Sequence, residues 1–319
     1  MSASERPVWL RTSARTNVGQ VRENNEDSIH LWGRSEFALA VVADGMGGAV
    51  AGEEASRLAV EAIESGLVNS PYANRASLET LTDEFVAAKM RESIRTANLS
   101  IVKRAEENPE LRGMGTTVTL ALVRGTQGIV AHVGDSRAYL VDETGRRITQ
   151  VTADHSFVEA LVAAGHLTPD QAEEHPMKNV LYRALGQADD VDVDVYEVQM
   201  RVNDRMVLCS DGLTRHVKTR EIGEIVLRHS DPDAAADALI DLANQRGGED
   251  NVSVIVVKIE HKPDDEAYDP ADISTVEMRP VTLPDEDTLP VMNRNFIDQI
   301  VPADSTEDTL KPRPKDEPE

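Results

Sequence analysis

The chain has 319 residues, with 57 Asp and Glu against 33 Lys and Arg, a formal net charge of −24, and a single cysteine, Cys209. An intrachain disulfide is excluded, and so negative a chain is a poor partner for a nucleic-acid backbone. No run of about 18 apolar residues could cross a membrane, and the N-terminal MSASERPVWLRTSART lacks the apolar stretch of a secretory signal, so the sequence reads as cytoplasmic.

In chain order, β-rich runs fall at 28–33 and 37–43. A helix follows at about 51–68, where AGEEASRLAVEAIESGL places Ala55, Leu58, Ala59, Ala62 and Ile63 on one face. A second long helix fits 77–106. Strands are expected at 116–124, 128–134 and 137–142, a helix at 156–165, and strands at 192–199 and 205–210. Helices at 219–228 and 233–245 precede a last strand at 251–259. Strands come in groups and long helices in pairs, which favours an α+β sandwich over a parallel βαβ fold. No G-x-G-x-x-G follows the first strand, and G-x-x-x-x-G-K-[ST] is absent, so nucleotide-binding loops are not indicated.

Composition breaks at about Lys262. From there to Glu319 the chain holds 9 of its 15 prolines and 16 acidic against 6 basic residues, and few large apolar ones. Such a segment cannot bury enough surface to offset its entropy, so 262–319 is expected to be a disordered acidic tail behind one domain at 1–261. The tail repeats E-D-T-L around Thr288 and Thr309, a pattern that fits low-complexity sequence or a pair of phosphorylatable threonines.

Four apolar runs share one peculiarity. ALAVVADGMGG ends at Asp44, GIVAHVGDSR at Asp135 and MVLCSDG at Asp211, while Asp250 in GGEDNVSVIVV stands just before a strand. An aspartate at a strand end has little freedom, and several converging there repel one another unless cations lie between them. Mg²⁺ and Mn²⁺ favour such all-oxygen surroundings, and neighbouring glycines let backbone carbonyls approach. The chain has no H-E-x-x-H and no C-x-x-C, so zinc is not indicated. Two such ions lower the pKa of a shared water and suit it to in-line attack on phosphorus. GQVRENNEDS adds Arg22, whose planar fork suits a phosphate, close to Glu26 and Asp27. Each piece alone has an ordinary reading: Asp-Gly is a turn, and an isolated Arg makes surface ion pairs.

Their order carries the specificity. TNVGQVRENNEDS, VVADGMGGAVAGEEAS, MGTTVTLALV, AHVGDSRAYLV, ITQVTADHS, NVLYRALG, VLCSDGL and GGEDNVSVIVV follow one another over about 12–260. In this the sequence resembles the metal-dependent protein Ser/Thr phosphatases of type 2C, the PPM family, in their bacterial form. The resemblance implies a central antiparallel β-sandwich flanked by pairs of α-helices, with two or three Mn²⁺ or Mg²⁺ ions at one end. It implies that Asp44 bridges the two ions, that Gly45 ligates one through its carbonyl, and that Asp211 and Asp250 bind the second. Asp135 would help hold a third, Arg22 would bind the substrate phosphate, and Glu26 and Asp27 would anchor water behind the ions. Residues 156–186 resemble the flap that selects substrates. Implied too are a monomer, phosphoprotein substrates among Ser/Thr kinases and their targets, and no nucleic-acid or membrane partner.

The sequence departs from the family pattern twice. Met46 stands where related DGHGG sequences carry a histidine proposed to protonate the leaving group, which leaves water as the acid; His132 and His155 read more readily as structural groups. Arg215 stands four residues after Asp211, where many members carry an acid; it either turns to solvent, or weakens metal binding or faces phosphate. Two rival functions follow. CSDGLTR at 209–215 fits the C-x-x-G-x-x-R loop of cysteine-dependent phosphatases, although Asp211 inside that loop would repel a phosphate. A phosphoprotein-binding module without turnover is the other.

Overall fold

The structure is a computed structural model that describes residues 7–68, 81–262 and 276–278. Its strands are β1 (Val8–Asn17), β2 (Asp27–Arg34), β3 (Phe37–Met46), β4 (Gly115–Thr116), β5 (Val118–Arg124), β6 (Gln127–Val133), β7 (Arg137–Asp142), β8 (Arg147–Gln150), β9 (Asp194–Gln199), β10 (Arg205–Cys209), β11 (Val252–His261) and β12 (Val276–Met278). They form two antiparallel sheets. One runs β1-β11-β10-β7-β8 and the other β12-β2-β3-β5-β6-β9, with β4 paired to β3.

The long helices are α1 (Ala49–Ile63), continued by a π turn over Glu64–Val68, and α2 (Asp83–Glu107). Short helices α3 (Phe157–Ala163), α4 (Pro169–Glu173) and α5 (Asp211–Thr214) precede α6 (Thr219–Arg228) and α7 (Pro232–Gln245). Three apolar layers bind the molecule. Ala38, Ala40 and Val42 of β3 meet Leu208, Ile255 and Val257 between the sheets. The alternate residues Leu39, Val41 and Ala43 face α1 and α2 through Ala55, Ala59, Met90 and Ile94. On the far side Val207, Val254 and Val256 meet Val226, Leu239 and Ile240 of α6 and α7. Central strands covered on both faces read as unbroken apolar runs, which is why β3 and β11 stand out in the sequence. The antiparallel sandwich between helix pairs is the fold anticipated.

Two differences have physical reasons. β1 was not anticipated, because VWLRTSARTN is largely polar. It is an edge strand: Leu10 and Ala14 pack inward, while Arg11 reaches Asp231 at 2.8 Å and Arg15 reaches Asp233 at 2.8 Å and Asp237 at 2.9 Å. β8 is short and half exposed, too brief to show a period. Within the segment expected as a tail, the backbone of Val276–Met278 pairs antiparallel with Ile29–Leu31 and covers the free edge of β2. Thr288, Thr309 and the start of the helix expected at 77–106 lie outside the described residues. α3 and α4 form the segment expected as a flap, with a small core of its own around Phe157 and Val180.

Candidate metal centre

Register brings the acids together. β2 pairs with β3 so that Asp27 stands opposite Asp44. β10 pairs with β11 with Cys209 opposite Val254, so Asp211 and Asp250 flank the same end of the other sheet. The two sheets are stitched there by hydroxyls: Ser210 and Ser253 donate to Asp27 Oδ2 at 2.8 and 2.6 Å. Asp44 is fixed through its backbone, its N–H donating to Thr117 Oγ1 at 3.1 Å and its carbonyl accepting from Thr116 Oγ1 at 2.8 Å. Asn251 accepts from the Glu26 N–H at 2.7 Å and donates to the carbonyls of Asn24 and Val18 at 2.8 and 3.0 Å, holding the 18–26 loop against β11.

Thr116, Thr117, Ser210, Asn251 and Ser253 were not singled out from the sequence. Ser210 and Asn251 stand next to Asp211 and Asp250 in the chain, the one local signal, while Thr116, Thr117 and Ser253 look like ordinary strand formers. A close approach completes the frame. The Gly45 N–H donates to the Glu26 carbonyl at 3.2 Å, and a Cβ on Gly45 would overlap the Gly52 carbonyl, while one on Gly52 would overlap the Glu26 carboxylate. At Gly45 the obstacle is backbone and only glycine fits; at Gly52 it is the end of the Glu26 side chain, which would have to move, so the first turns of α1 press directly on the acids.

The assembled charge is costly. Burial, then Asp27, Asp211, Asp250 and Asp135, hold the Asp44 carboxyl well above the usual carboxylate range. Burial, then Asp211 and Asp154, do the same to Asp135. Burial raises Asp27 to about 7 against the pull of its two serine hydrogen bonds. It raises Glu26 to about 7 as well, with Arg22 opposing. Asp250 is raised by burial and Asp211, and held down by Arg215 and Arg22. Buried carboxylates in mutual repulsion, with no apolar reason to be there, fit a cation.

Two arginines answer part of that charge. Arg22 Nε lies 3.1 Å from Asp250 Oδ1, and its NH1 lies 3.8 Å from Glu26 Oε1. Arg215 does not turn to solvent, which disposes of the first of its two readings. Its Nε donates to Asp211 Oδ2 at 2.9 Å, its NH2 bonds the same oxygen, and its NH1 lies 3.3 Å from Asp250 Oδ2. With Asp211 and Asp250 drawn to these guanidiniums, no three acidic, histidine or cysteine side chains among the described residues close on one point. The donor set itself fits Mg²⁺ or Mn²⁺: short, pinned oxygen ligands in excess over cations, with glycine-lined backbone beside them.

The rival groups are placed elsewhere. Cys209 is fully buried on β10, and burial pushes its thiol up to about 12, the wrong direction for a nucleophile. His155 Nδ1 accepts from the Gly134 N–H at 3.0 Å, and its Nε2 lies 3.0 Å from Asp194 Oδ2 and 3.1 Å from Arg183. His132 contacts Thr119 Oγ1 at 3.0 Å, its ring 4.9 Å from that of His155. Burial lowers both imidazoles, His132 to about 3. They brace the backbone beside Asp135. Met46 ends β3 opposite Gly115.

Comparison with known proteins agrees with this architecture. The family model described as protein phosphatase 2C matches residues 18–247. A serine/threonine phosphatase stp of Listeria monocytogenes is 38% identical over 250 residues, which is 78% of this chain and 96% of that protein. The crystal structure of the Mycobacterium tuberculosis serine/threonine phosphatase PstP/Ppp is 38% identical with a TM-score of 0.69, covering 79% of this chain and 100% of that one. A PstP catalytic domain in complex with two manganese ions is 36% identical with a TM-score of 0.67, over 79% and 99%. None of these relatives is described as a binding module without turnover. The strand-end acids, the sandwich that gathers them and these likenesses agree: the chain belongs to the protein phosphatase 2C family.

Proposed function

We propose that this chain hydrolyses phosphoserine and phosphothreonine in proteins, using Mn²⁺ or Mg²⁺ held by its strand-end carboxylates. The observation that carries the reading is the gathering of Asp27, Asp44, Asp135, Asp211 and Asp250 at one end of the sandwich, in excess of the two arginines that face them. Asp44, with the Gly45 carbonyl, would serve two ions, Asp211 and Asp250 the second, and Asp135 a third. When bound, such ions supply Lewis acidity and a water that is nucleophilic at neutral pH. Arg22, half exposed at the rim, orients the phosphate for in-line attack and balances its charge. Glu26 and Asp27 hold solvent from behind, Asp27 kept in place by Ser210 and Ser253.

Residues 1–261 would form the catalytic unit, with 156–186 as the flap that selects substrates and 262–319 as an appended acidic tail. Its substrates would be Ser/Thr kinases and their targets in the cytoplasm, met by a monomer. No described helix is long and apolar enough to cross a membrane.

Phosphate release from a phosphothreonine peptide, with Mn²⁺ and then EDTA, tests the reading in wild type, Asp211→Asn and Cys209→Ser. Activity that requires Mn²⁺, collapses in Asp211→Asn and persists in Cys209→Ser is expected. Release that survives EDTA and dies with Cys209 would overturn it.

A further inference from the structure

We propose that Arg215 is an internal cation that competes with the second divalent ion for Asp211 and Asp250. The inference rests on the metal reading above and concerns a residue that departs from the family pattern. Its geometry is that of a bridging ion. Arg215 stands one helical turn after Asp211, its N–H donating to the Asp211 carbonyl at 2.9 Å. From there the guanidinium spans two segments, bonding Asp211 through Nε at 2.9 Å and meeting Asp250 through NH1 at 3.3 Å. These are the two carboxylates assigned to one ion. The side chain is 27% exposed and both carboxylates 15%, so the contacts are sheltered from solvent screening.

Arg215 cannot yield its place by losing a proton, because a guanidinium stays charged throughout the pH range in which proteins fold. An ion must therefore displace a whole charged side chain. Charge-assisted hydrogen bonds of this kind are the strong ones, and their loss subtracts directly from the apparent affinity for the ion. Arg22 is in a different position: it lies at the rim and touches only the outer ligand Asp250 and, more distantly, Glu26. Once displaced, Arg215 needs another anion. The substrate phosphate, with Arg22 on the same side of Asp250, is the anion the proposed reaction brings. Arg215 thus makes the second ion weak in the resting protein and couples its binding to that of phosphate.

Calorimetric titration of Mn²⁺ into wild type, Arg215→Gln, Arg215→Lys and Asp211→Asn, without substrate, tests this. Melting curves are recorded with and without Mn²⁺. Arg215→Gln is expected to bind the weaker ion about tenfold more tightly and to melt lower than wild type when metal-free. Arg215→Lys keeps the charge but loses the two-point grip, and is expected to fall between them; it decides the matter if Arg215→Gln does not fold. Unchanged or weaker Mn²⁺ affinity in both Arg215 variants, with normal uptake by wild type, overturns the inference alone. Absence of Mn²⁺ uptake by wild type and variants overturns the metal reading and this inference together.

Discussion

Two polar clusters lie near one another in this molecule, and they are built on opposite principles. Around His155 every charge has its counterpart. Arg137 grips Asp154 through Nε at 2.9 Å and through NH2 at 2.6 Å, and Arg183 meets Asp194 at 2.9 Å beside the neutral imidazole. At the strand ends carboxylates outnumber their partners, and Asp27, Asp44 and Asp135 sit with raised pKa values. The balanced cluster is complete in itself and holds shape. The unbalanced one is complete only with a ligand, and its cost is carried by the apolar strands that fix it. An excess of one charge in a rigid frame is a stronger functional signal than charge itself.

The contrast can be broken by neutralising one carboxylate on each side. Asp44→Asn is expected to reduce phosphate release about 10³-fold, yet to raise the melting temperature of the metal-free protein by relieving repulsion. A metal-free protein that melts lower would count against the unbalanced reading. Asp154→Asn should do the reverse to stability. It strips a sheltered bidentate pair and should cost about 2–3 kcal/mol in urea unfolding.

Acidity sharpens the same point. Asp27 and Glu26 titrate near 7 in the fold and near 4 when unfolded. Between those values the native state holds more protons than the unfolded one, so stability falls as pH rises. Metal-free protein is expected to lose about 4–5 kcal/mol from pH 5 to pH 7.5, shared between the two groups, measured by urea unfolding. Saturating Mn²⁺ should flatten that slope, because ligation needs the carboxylates ionised. The smallest effect belongs to neither cluster: Cys209→Ser buries a hydroxyl on β10 and should cost about 1 kcal/mol with kcat unchanged.

The sequence displayed much of this, and its silences have reasons. β3 and β11 are covered on both faces, so their apolar runs ended visibly at Asp44 and began visibly after Asp250. β1 was illegible because its outer face answers to Asp231, Asp233 and Asp237, which are more than 200 residues away in the chain. The acids could be named because each follows or precedes a strand. Their supports could not: Ser210, Ser253 and Thr117 matter through bonds to residues far away in the chain, which no local pattern encodes. Arg215 showed as an anomaly, but only the fold says that it turns inward.

The contact between Gly45 and Gly52 has a consequence for how the protein tolerates change. Neither position has room for a methyl group, since each lies against the backbone or carboxylate of the other's neighbourhood. The first turns of α1 therefore act as a gauge for where Glu26 and the end of β3 come to rest. A Gly52→Ala protein would keep its three apolar layers and its melting behaviour largely intact, while its carboxylates stood out of true. Among random variants, Gly52 would yield proteins that are soluble, cooperative and catalytically mute, whereas a side chain at Gly45 would meet backbone and cost the fold itself.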